Sequence, residues 1–408
     1  MTDPTREGGF ALLTTVFEHR RTLEDGLTAL PSMDARDRSA AHRLAAAVLR
    51  RTGTLDAMLE PFLRKAPPNK VRNILRIGAA GLLLLDLPPH AAVGTAVSLA
   101  RTLGLTPFAG LINAVLRKIA AEGARGMDVL DSPRLDTPAW LWTSWGEHAR
   151  PIAEAHQREA PLDLTLGVGT VAPEGAVALP TGSVRYLAGT HVMDIPGFAE
   201  GRLWVQDAAA ALPPLLLAPR PGERIADLCA APGGKTAQLI AAGAKVTALE
   251  RDTGRLARLA ENLTRWGMEA VLVQADATNW TPSHLFDAVL LDAPCSSTGT
   301  IRRHPDVPHL KRPRDIVLLS EAQDELLRAA ARMLRPGGRL VYSVCSLQPE
   351  EGAARLASAG LRPAPFRREE LPGLPDAIGD DGFLRTRPDM WGDLGGMDGF
   401  FAGRATKD

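Results

Sequence analysis

Cysteine is scarce in this chain: Cys229, Cys295 and Cys345 are the only three in 408 residues. So sparse and odd a set excludes a disulfide scaffold and fits a reducing compartment, so a cytoplasmic location is expected. The spacings resemble no Cys-x-x-Cys pair or Cys/His cluster, and no bound metal is expected. Long apolar runs are also missing. The longest, Ile77 to Leu85, is too short to span a bilayer and reads as a buried helix segment, and no secretory signal is evident, so no membrane partner is expected. Net charge is absent, since 47 basic side chains balance 47 acidic ones, and it gives no hint of a polyanion partner. Residues 1–130 hold 17 Lys or Arg and 12 Asp or Glu, a local excess of 17 − 12 = +5 that is compatible with RNA contact and equally with none. Lysine is rare, 7 against 40 arginines, which suggests a GC-rich genome rather than a function.

What is present divides the chain into parts. A length of 408 residues exceeds one core, so two or three domains are expected. From residue 8 to about 125 apolar residues recur at helical spacing, in Ala41–Arg51, Leu55–Leu63, Val71–Leu85, Ala91–Leu103 and Phe108–Ala121. Pro67-Pro68, Pro88-Pro89 and Gly104 before Pro107 supply the breaks. This predicts an all-α bundle over residues 1–130. Residues 131–203 lose the periodicity, carry Trp140, Trp142 and Trp145 and then strand-like pieces such as Leu162–Val168, and read as a small α+β connector. From residue 204 to 408 strands alternate with helices. Strands are predicted at Arg224–Leu228, Lys245–Leu249, Ala270–Gln274, Phe286–Leu291 and Arg339–Val344, and helices at Lys235–Ala242, Thr253–Trp266 and Arg314–Leu334. The pattern implies a mostly parallel, Rossmann-like α/β sheet, whose ligands bind beyond the carboxyl ends of the strands.

Every motif that carries chemistry follows a predicted strand. After the first comes Cys229-Ala230-Ala231-Pro232-Gly233-Gly234-Lys235, where two glycines allow close backbone approach and a helix N-terminus follows. A P-loop would need glycine at position 229, where this chain has Cys229. Glu250 ends the second strand, placed to accept from both hydroxyls of a ribose. Asp276 follows the third and is either an adenine acceptor or a helix N-cap. With no phosphate-grasping basic cluster nearby, the set favours S-adenosylmethionine over NAD or ATP.

The fourth and fifth strands run into Asp292-Ala293-Pro294-Cys295 and Ser343-Val344-Cys345. Parallel strands bring these ends to one cleft, so Asp292, Cys295 and Cys345 should converge, with Lys235 pairing Asp292 across it. Two free cysteines and an acid beside a methyl donor suggest methylation of cytosine carbon 5. That carbon is a weak nucleophile until a thiolate adds to carbon 6 and makes it enamine-like. A proton or hydrogen bond at N3 eases the addition, a role for Asp292 if its pKa is raised or it shares a proton. Sequence chemistry does not rank the two cysteines. Packing under the cofactor is the default reading of Cys229.

These residues resemble the NOL1/NOP2/Sun family of RNA cytosine-5 methyltransferases, on Cys229–Lys235, Asp292–Ser296, Ile301–Asp306 and Ser343–Ser346. Pro88–Ala92 and Gly110–Arg117 resemble a NusB-like RNA-binding domain. The resemblance implies that Cys345 is the nucleophile, that Cys295 assists product release, and that Cys229–Lys235, Glu250, Asp276 and Asp292 contact the cofactor. It implies 16S ribosomal RNA as the partner, before full subunit assembly, and a monomer. Arg302 and Arg303 follow the Pro-Cys loop and are expected to meet RNA. Two departures stand out: Glu250 where aspartate is common, and Val344 where threonine is common. Transfer RNA as substrate, or a non-catalytic RNA-binding or antitermination-like factor, are the alternatives; the second would have lost Cys345 or the glycine loop.

Overall fold

A computed structural model describes residues 3–408 and divides the chain into two compact units. One runs to Arg158 and takes in Ile301–Arg312; the other holds Glu159–Thr300 and Pro313–Asp408.

The first unit is helical. Its main helices are α1 (Pro4–Phe17), α2 (Leu23–Ala29), α3 (Ala35–Arg50), α4 (Thr52–Leu59), α5 (Asn69–Leu83), α6 (Pro89–Thr102) and α7 (Ala109–Glu122). The breaks fall at the prolines and glycine that the sequence marks: Pro68 precedes α5, Pro89 opens α6, and Gly104 takes φ 72° after it. Helices α1 and α2 have no separate signal in the sequence, because Gly8-Gly9 and Thr14-Thr15 blur the apolar period. They form because Phe10, Leu12, Leu13 and Val16 join the core cluster that also holds Ala41, Leu44 and Val48 of α3. Asp3 and Asp34 cap α1 and α3, and Thr22 with Asp25 forms a capping box on α2. At Gly78 an added Cβ would lie 2.4 Å from Leu116 Cδ1, so α5 and α7 approach where only glycine fits.

The expected connector is not one body. Its first part is helical, at Ala139–Trp145 and Ala149–His156, and belongs to the helical unit. Asp136 ties it there, accepting from Arg51 Nε at 2.9 Å, Thr54 N at 2.7 Å, Thr54 Oγ1 at 2.8 Å and Gln157 Nε2 at 3.0 Å. Its second part forms an antiparallel sheet of β1 (Leu162–Leu166), β2 (Val177–Ala178), β3 (Val184–Tyr186) and β4 (Leu203–Val205) in the order β2-β3-β1-β4, within the second unit. A buried ion pair, Arg185 to Asp163 at 2.6 Å, secures it, and Asp163 Oδ2 also accepts from Ala208 N.

The second unit's main sheet comprises β5 (Arg224–Leu228), β6 (Lys245–Glu250), β7 (Val271–Gln274), β8 (Phe286–Asp292), β9 (Leu334–Val344), β10 (Arg362–Pro363), β11 (Leu384–Thr386) and β12 (Phe400–Thr406). The order is β10-β12-β9-β8-β5-β6-β7, with β11 on β12. Strands β5 to β9 pair in parallel; β12 runs antiparallel to β9. Successive residues of β5 enter different clusters, Ile225 one and Ala226 the other, so both faces are covered, as a parallel sheet requires. The strand order reverses between β5 and β8, and the crevice of such a sheet opens at the carboxyl ends there. Among the described residues no helix is long and apolar enough to cross a membrane, and no group of three or more His, Cys, Asp or Glu could hold a metal ion.

Candidate active site

A cleft of about 420 Å³ lies at that reversal, bordered by Asp227, Cys229, Pro232, Lys235, Trp266 and Asp292. Its floor is the glycine loop between β5 and the helix Gly234–Ala241. Cys229 takes φ 61° and Gly233 φ 106°. A Cβ at Gly233 would press on Leu259 Cδ1 at 2.4 Å, where that side chain can yield, so it is the backbone at φ 106° that calls for glycine. The loop is pinned by β6 and the helix Thr253–Arg265 after it: Ala230 N–H donates to Leu249 O at 2.9 Å, Arg255 Nη2 to Ala231 O at 2.8 Å and Asn262 Nδ2 to Pro232 O at 2.9 Å. Burial pushes the Cys229 thiol up to about 12, helped by the charges of Glu250 and Asp292, which suits packing rather than attack.

Asp227 is fully buried, and its Oδ2 accepts from Thr236 Oγ1 at 2.6 Å. Burial pushes its carboxyl up to about 7 against the pull of Thr236 and Lys235. Glu250 Oε1 accepts from Asp252 N at 3.1 Å, while Oε2 has Arg255 Nη2 at 3.5 Å, an ion-pair distance without a hydrogen bond. Asp227 Oδ1 and Glu250 Oε2, on the adjacent strands β5 and β6, are thus buried acceptors without a hydrogen bond. Asp276 is exposed, and its Oδ1 accepts from Thr278 N at 2.9 Å and Oγ1 at 2.7 Å, closing a turn over Ala277–Asn279 with no helix after it.

Asp292 ends β8 opposite Ser343 of β9. Its Oδ2 accepts from Lys235 Nζ at 2.7 Å and its Oδ1 from Ser343 Oγ at 2.9 Å. Burial alone would lower the Lys235 pKa, but Asp292, through charge and hydrogen bond, with Cys345 and Asp227, raises it overall, so Lys235 stays a cation. The sulfurs of Cys295 and Cys345 lie 3.4 Å apart, with Cys345 also 3.7 Å from Ser297 Oγ. Cys295 is buried and Cys345 partly open. The neighbouring Cys345 sulfur and burial push the Cys295 thiol well above its usual range.

Beneath the sulfurs sits a group the sequence did not mark. Glu351 is fully buried. Its Oε1 accepts from Ser296 N and Gln323 Nε2, both at 2.9 Å, and its Oε2 from the hydroxyls of Ser296 and Ser346, both at 2.5 Å. In Gln348-Pro349-Glu350-Glu351-Gly352 it reads as half of a solvated loop pair, and no local pattern distinguishes it from exposed Glu350.

Arg302 departs from expectation. It is 2% exposed, inside the helical unit, where Arg50 Nη2 donates to its carbonyl at 2.8 Å and its charge helps hold buried His156 at about 3. A guanidinium so enclosed does not face solvent RNA. Arg303 beside it is half-buried. The whole stretch 301–312 joins this unit, with Leu23 N donating to Asp306 Oδ2 and Arg20 to the carbonyls of His309 and Leu310.

Residues 4–121 match the NusB family, and residues 214–403 match the family described as 16S rRNA methyltransferase RsmB/F. Ribosomal RNA small subunit methyltransferase B of Xylella fastidiosa is 38% identical over 424 residues, spanning 97% of this chain and 96% of that protein. The chain belongs to the RsmB/F family. A Salmonella arizonae protein of the same description is 35% identical, covering 89% of this chain and 91% of its own. Among solved structures, PH0851 superimposes over 100% of this chain and 99% of its own with a TM-score of 0.75 at 22% identity. NSun6 from Pyrococcus horikoshii, solved with SFG, covers 66% of this chain and 98% of its own with a TM-score of 0.53 at 19% identity. The last two likenesses are of fold alone; the NusB-type helical part and the methyltransferase part are identified by the family matches.

As an RsmB/F member the protein is an S-adenosylmethionine-dependent methyltransferase. Its residues fit that donor. Asp227 Oδ1 and Glu250 Oε2 are buried acceptors without a hydrogen bond, which an amino group and a ribose would satisfy, and Gly233 leaves the loop free of a Cβ.

Proposed function

We propose that this protein methylates carbon 5 of a cytosine in 16S ribosomal RNA through a covalent bond between Cys345 and carbon 6. The observation that carries the reading is the meeting of two free sulfurs, 3.4 Å apart, with a Lys235–Asp292 pair whose ammonium is held up in part by Cys345. The bound donor supplies one electrophilic methyl on a sulfonium, in the cleft edged by Cys229–Lys235, Asp227 and Glu250.

Cys345 is the more open sulfur, and its thiolate adds to carbon 6. The electron pair of the C5–C6 double bond moves into the ring as N3 takes a proton from the Lys235–Asp292 pair. Carbon 5, now enamine-like, takes the methyl. The carbon 5 proton then leaves to a base, N3 returns its proton to the pair, and the Cys345 thiolate departs as the double bond re-forms. Cys295, kept a thiol by its surroundings and touching Cys345, assists this release by giving a proton to the departing sulfur. The target base must leave its stack to reach a sulfur recessed in the cleft, which favours locally opened RNA before subunit assembly is complete. The NusB-type unit supplies the RNA anchor through its arginines. Free catalytic thiols suit a reducing cell interior, and we place the protein in the cytoplasm.

The test incubates purified protein with methyl-labelled S-adenosylmethionine and unmodified 16S rRNA or transfer RNA, followed by mapping of 5-methylcytosine. Label at a cytosine of 16S rRNA, absent with Cys345→Ala, is expected. Label confined to transfer RNA overturns the substrate, and transfer by Cys345→Ala overturns the nucleophile.

A further inference from the structure

Two separate loops must hold two sulfurs at one spacing, and the same buried side chain anchors both. Ser296 follows Cys295 and Ser346 follows Cys345; both hydroxyls and the Ser296 N–H end on the Glu351 carboxylate. The remaining donor, Gln323 Nε2, also donates to Pro294 O at 2.9 Å, one residue before Cys295. Tyr342 OH donates to the Glu351 carbonyl at 2.8 Å, fixing the backbone that presents the carboxylate. The secondary anchors depend on this arrangement. Ser346 Oγ, its proton given to Glu351, accepts from Gln348 N at 3.0 Å, and Thr298 Oγ1 accepts from Leu347 N at 3.0 Å.

We propose that Glu351 is a positioning residue for methyl transfer, setting the distance between the sulfurs of Cys295 and Cys345 by anchoring both loops on one carboxylate. The proposal rests on the assignment of the chemistry to those two cysteines. The carboxylate suits the valence of the site: four donors converge, two N–H groups on one oxygen and two hydroxyls on the other, and an ionised acid accepts from all four with charge-assisted bonds. Glutamine keeps the shape but can meet the two serine hydroxyls only by donating its N–H₂ group to them, so both must reverse, and such neutral contacts are longer than the charge-assisted 2.5 Å pair, which lets the loops move apart. In a buried network such a mismatch propagates rather than relaxes into water. The negative charge of Glu351 also helps keep Cys295 a thiol, as a proton donor to the departing sulfur requires.

The test compares Glu351→Gln with the unaltered full-length enzyme in two independent readouts. The first is steady-state methylation of 16S rRNA, with trapping on 16S rRNA transcribed with 5-fluorocytidine, whose carbon 5 cannot release fluorine as a cation. The second measures sulfur spacing without turnover: diamide takes the two thiol hydrogens and leaves a Cys295–Cys345 disulfide, whose rate of formation is followed by mass spectrometry. Expected for Glu351→Gln are an unchanged affinity for S-adenosylmethionine and unchanged KM for RNA, a kcat lower by roughly 100-fold, as about 1 Å of misplacement costs, and disulfide formation slowed about tenfold or more. Wild-type values in either readout overturn the proposal. Should Glu351→Gln fail to fold, Ser296→Ala, Ser346→Ala and the double variant decide: a double effect smaller than the product of the single ones supports a common anchor, and independent effects overturn it. If Cys345→Ala still forms the fluorocytidine adduct, the assignment of the nucleophile fails instead, while the disulfide rate continues to report on Glu351.

Discussion

The ammonium of Lys235 and the carboxylate of Asp292 meet at 2.7 Å, with Ser343 Oγ holding the second carboxylate oxygen at 2.9 Å. The lysine comes from the helix after β5 and the aspartate from the tip of β8, so the pair spans the point where strand order reverses. Asp292→Asn keeps the Ser343 bond but removes the charge that makes Lys235 a poised donor. Its kcat is expected to fall by about 10²–10⁴-fold, the usual worth of general acid–base help. Lys235→Met should show a comparable loss, and the double variant little more than either single one; multiplicative losses would separate the two roles.

Cys295→Ala should behave differently from Cys345→Ala. The variant that keeps the open sulfur and loses the buried one retains attack and is slow in release. Denaturing gels should therefore show an RNA–protein adduct with Cys295→Ala and none with Cys345→Ala. Adduct with Cys345→Ala alone would exchange the assignments.

Gly233→Ala tests the cofactor floor. With φ at 106° a side chain strains the backbone there, and the new methyl also pushes on Leu259 Cδ1 at 2.4 Å. A stability loss of about 1–3 kcal/mol is expected, the cost of such backbone conformations for a residue with a side chain. Calorimetric affinity for S-adenosylmethionine should fall with it, and an unchanged affinity would exclude the loop from the cofactor site.

Stability of the cofactor-free protein should carry the titration of Asp227. Its carboxyl lies near 7 in the fold because burial disfavours the charge, against an ordinary 3.8. The folded protein therefore binds this proton more tightly than the unfolded chain. The contribution is full below about 3.8 and is lost as pH rises through 7. Asp227→Asn cannot ionise, so its melting temperature relative to wild type should climb between pH 4 and pH 7. A constant difference across that window would show that Asp227 does not titrate there.

Arg302→Ala should act on folding rather than on RNA. The side chain is enclosed in the helical unit, and its removal is expected to cost about 1–3 kcal/mol, seen as a lower melting temperature. The salt dependence of RNA binding should keep its slope, since no phosphate contact is lost. A shallower slope with unchanged melting would return Arg302 to the RNA surface.

Periodicity sufficed for α3 to α7 and for β5 to β9, since each repeats its apolar residues over enough length to be read alone. Helices α1 and α2 were legible only as part of a helical stretch from residue 8 and not as separate elements: Gly8 and Gly9 are poor helix formers until Ala41 and Leu44 lie against them. The segment 131–203 was read as one body because its apolar residues carry no period, yet Asp136 commits its first part to one unit and the Asp163–Arg185 pair its second part to the other. Arg302 was read as exposed from its place after the Pro-Cys loop, and the packing of the 301–312 stretch into the helical unit, with Arg302 buried, was not visible from neighbours in sequence.

What the amino-acid sequence determined by itself is the chemistry: two sulfurs, a lysine, an aspartate and a glycine turn, each following a strand, because residue type and local period are local properties. What only the tertiary structure decided is which of these touch and what holds them. The 3.4 Å between the sulfurs and the convergence on Glu351 join residues up to 55 positions apart. Such pairings arise from parallel strands and buried hydrogen bonds closing long loops, and no local pattern encodes that closure.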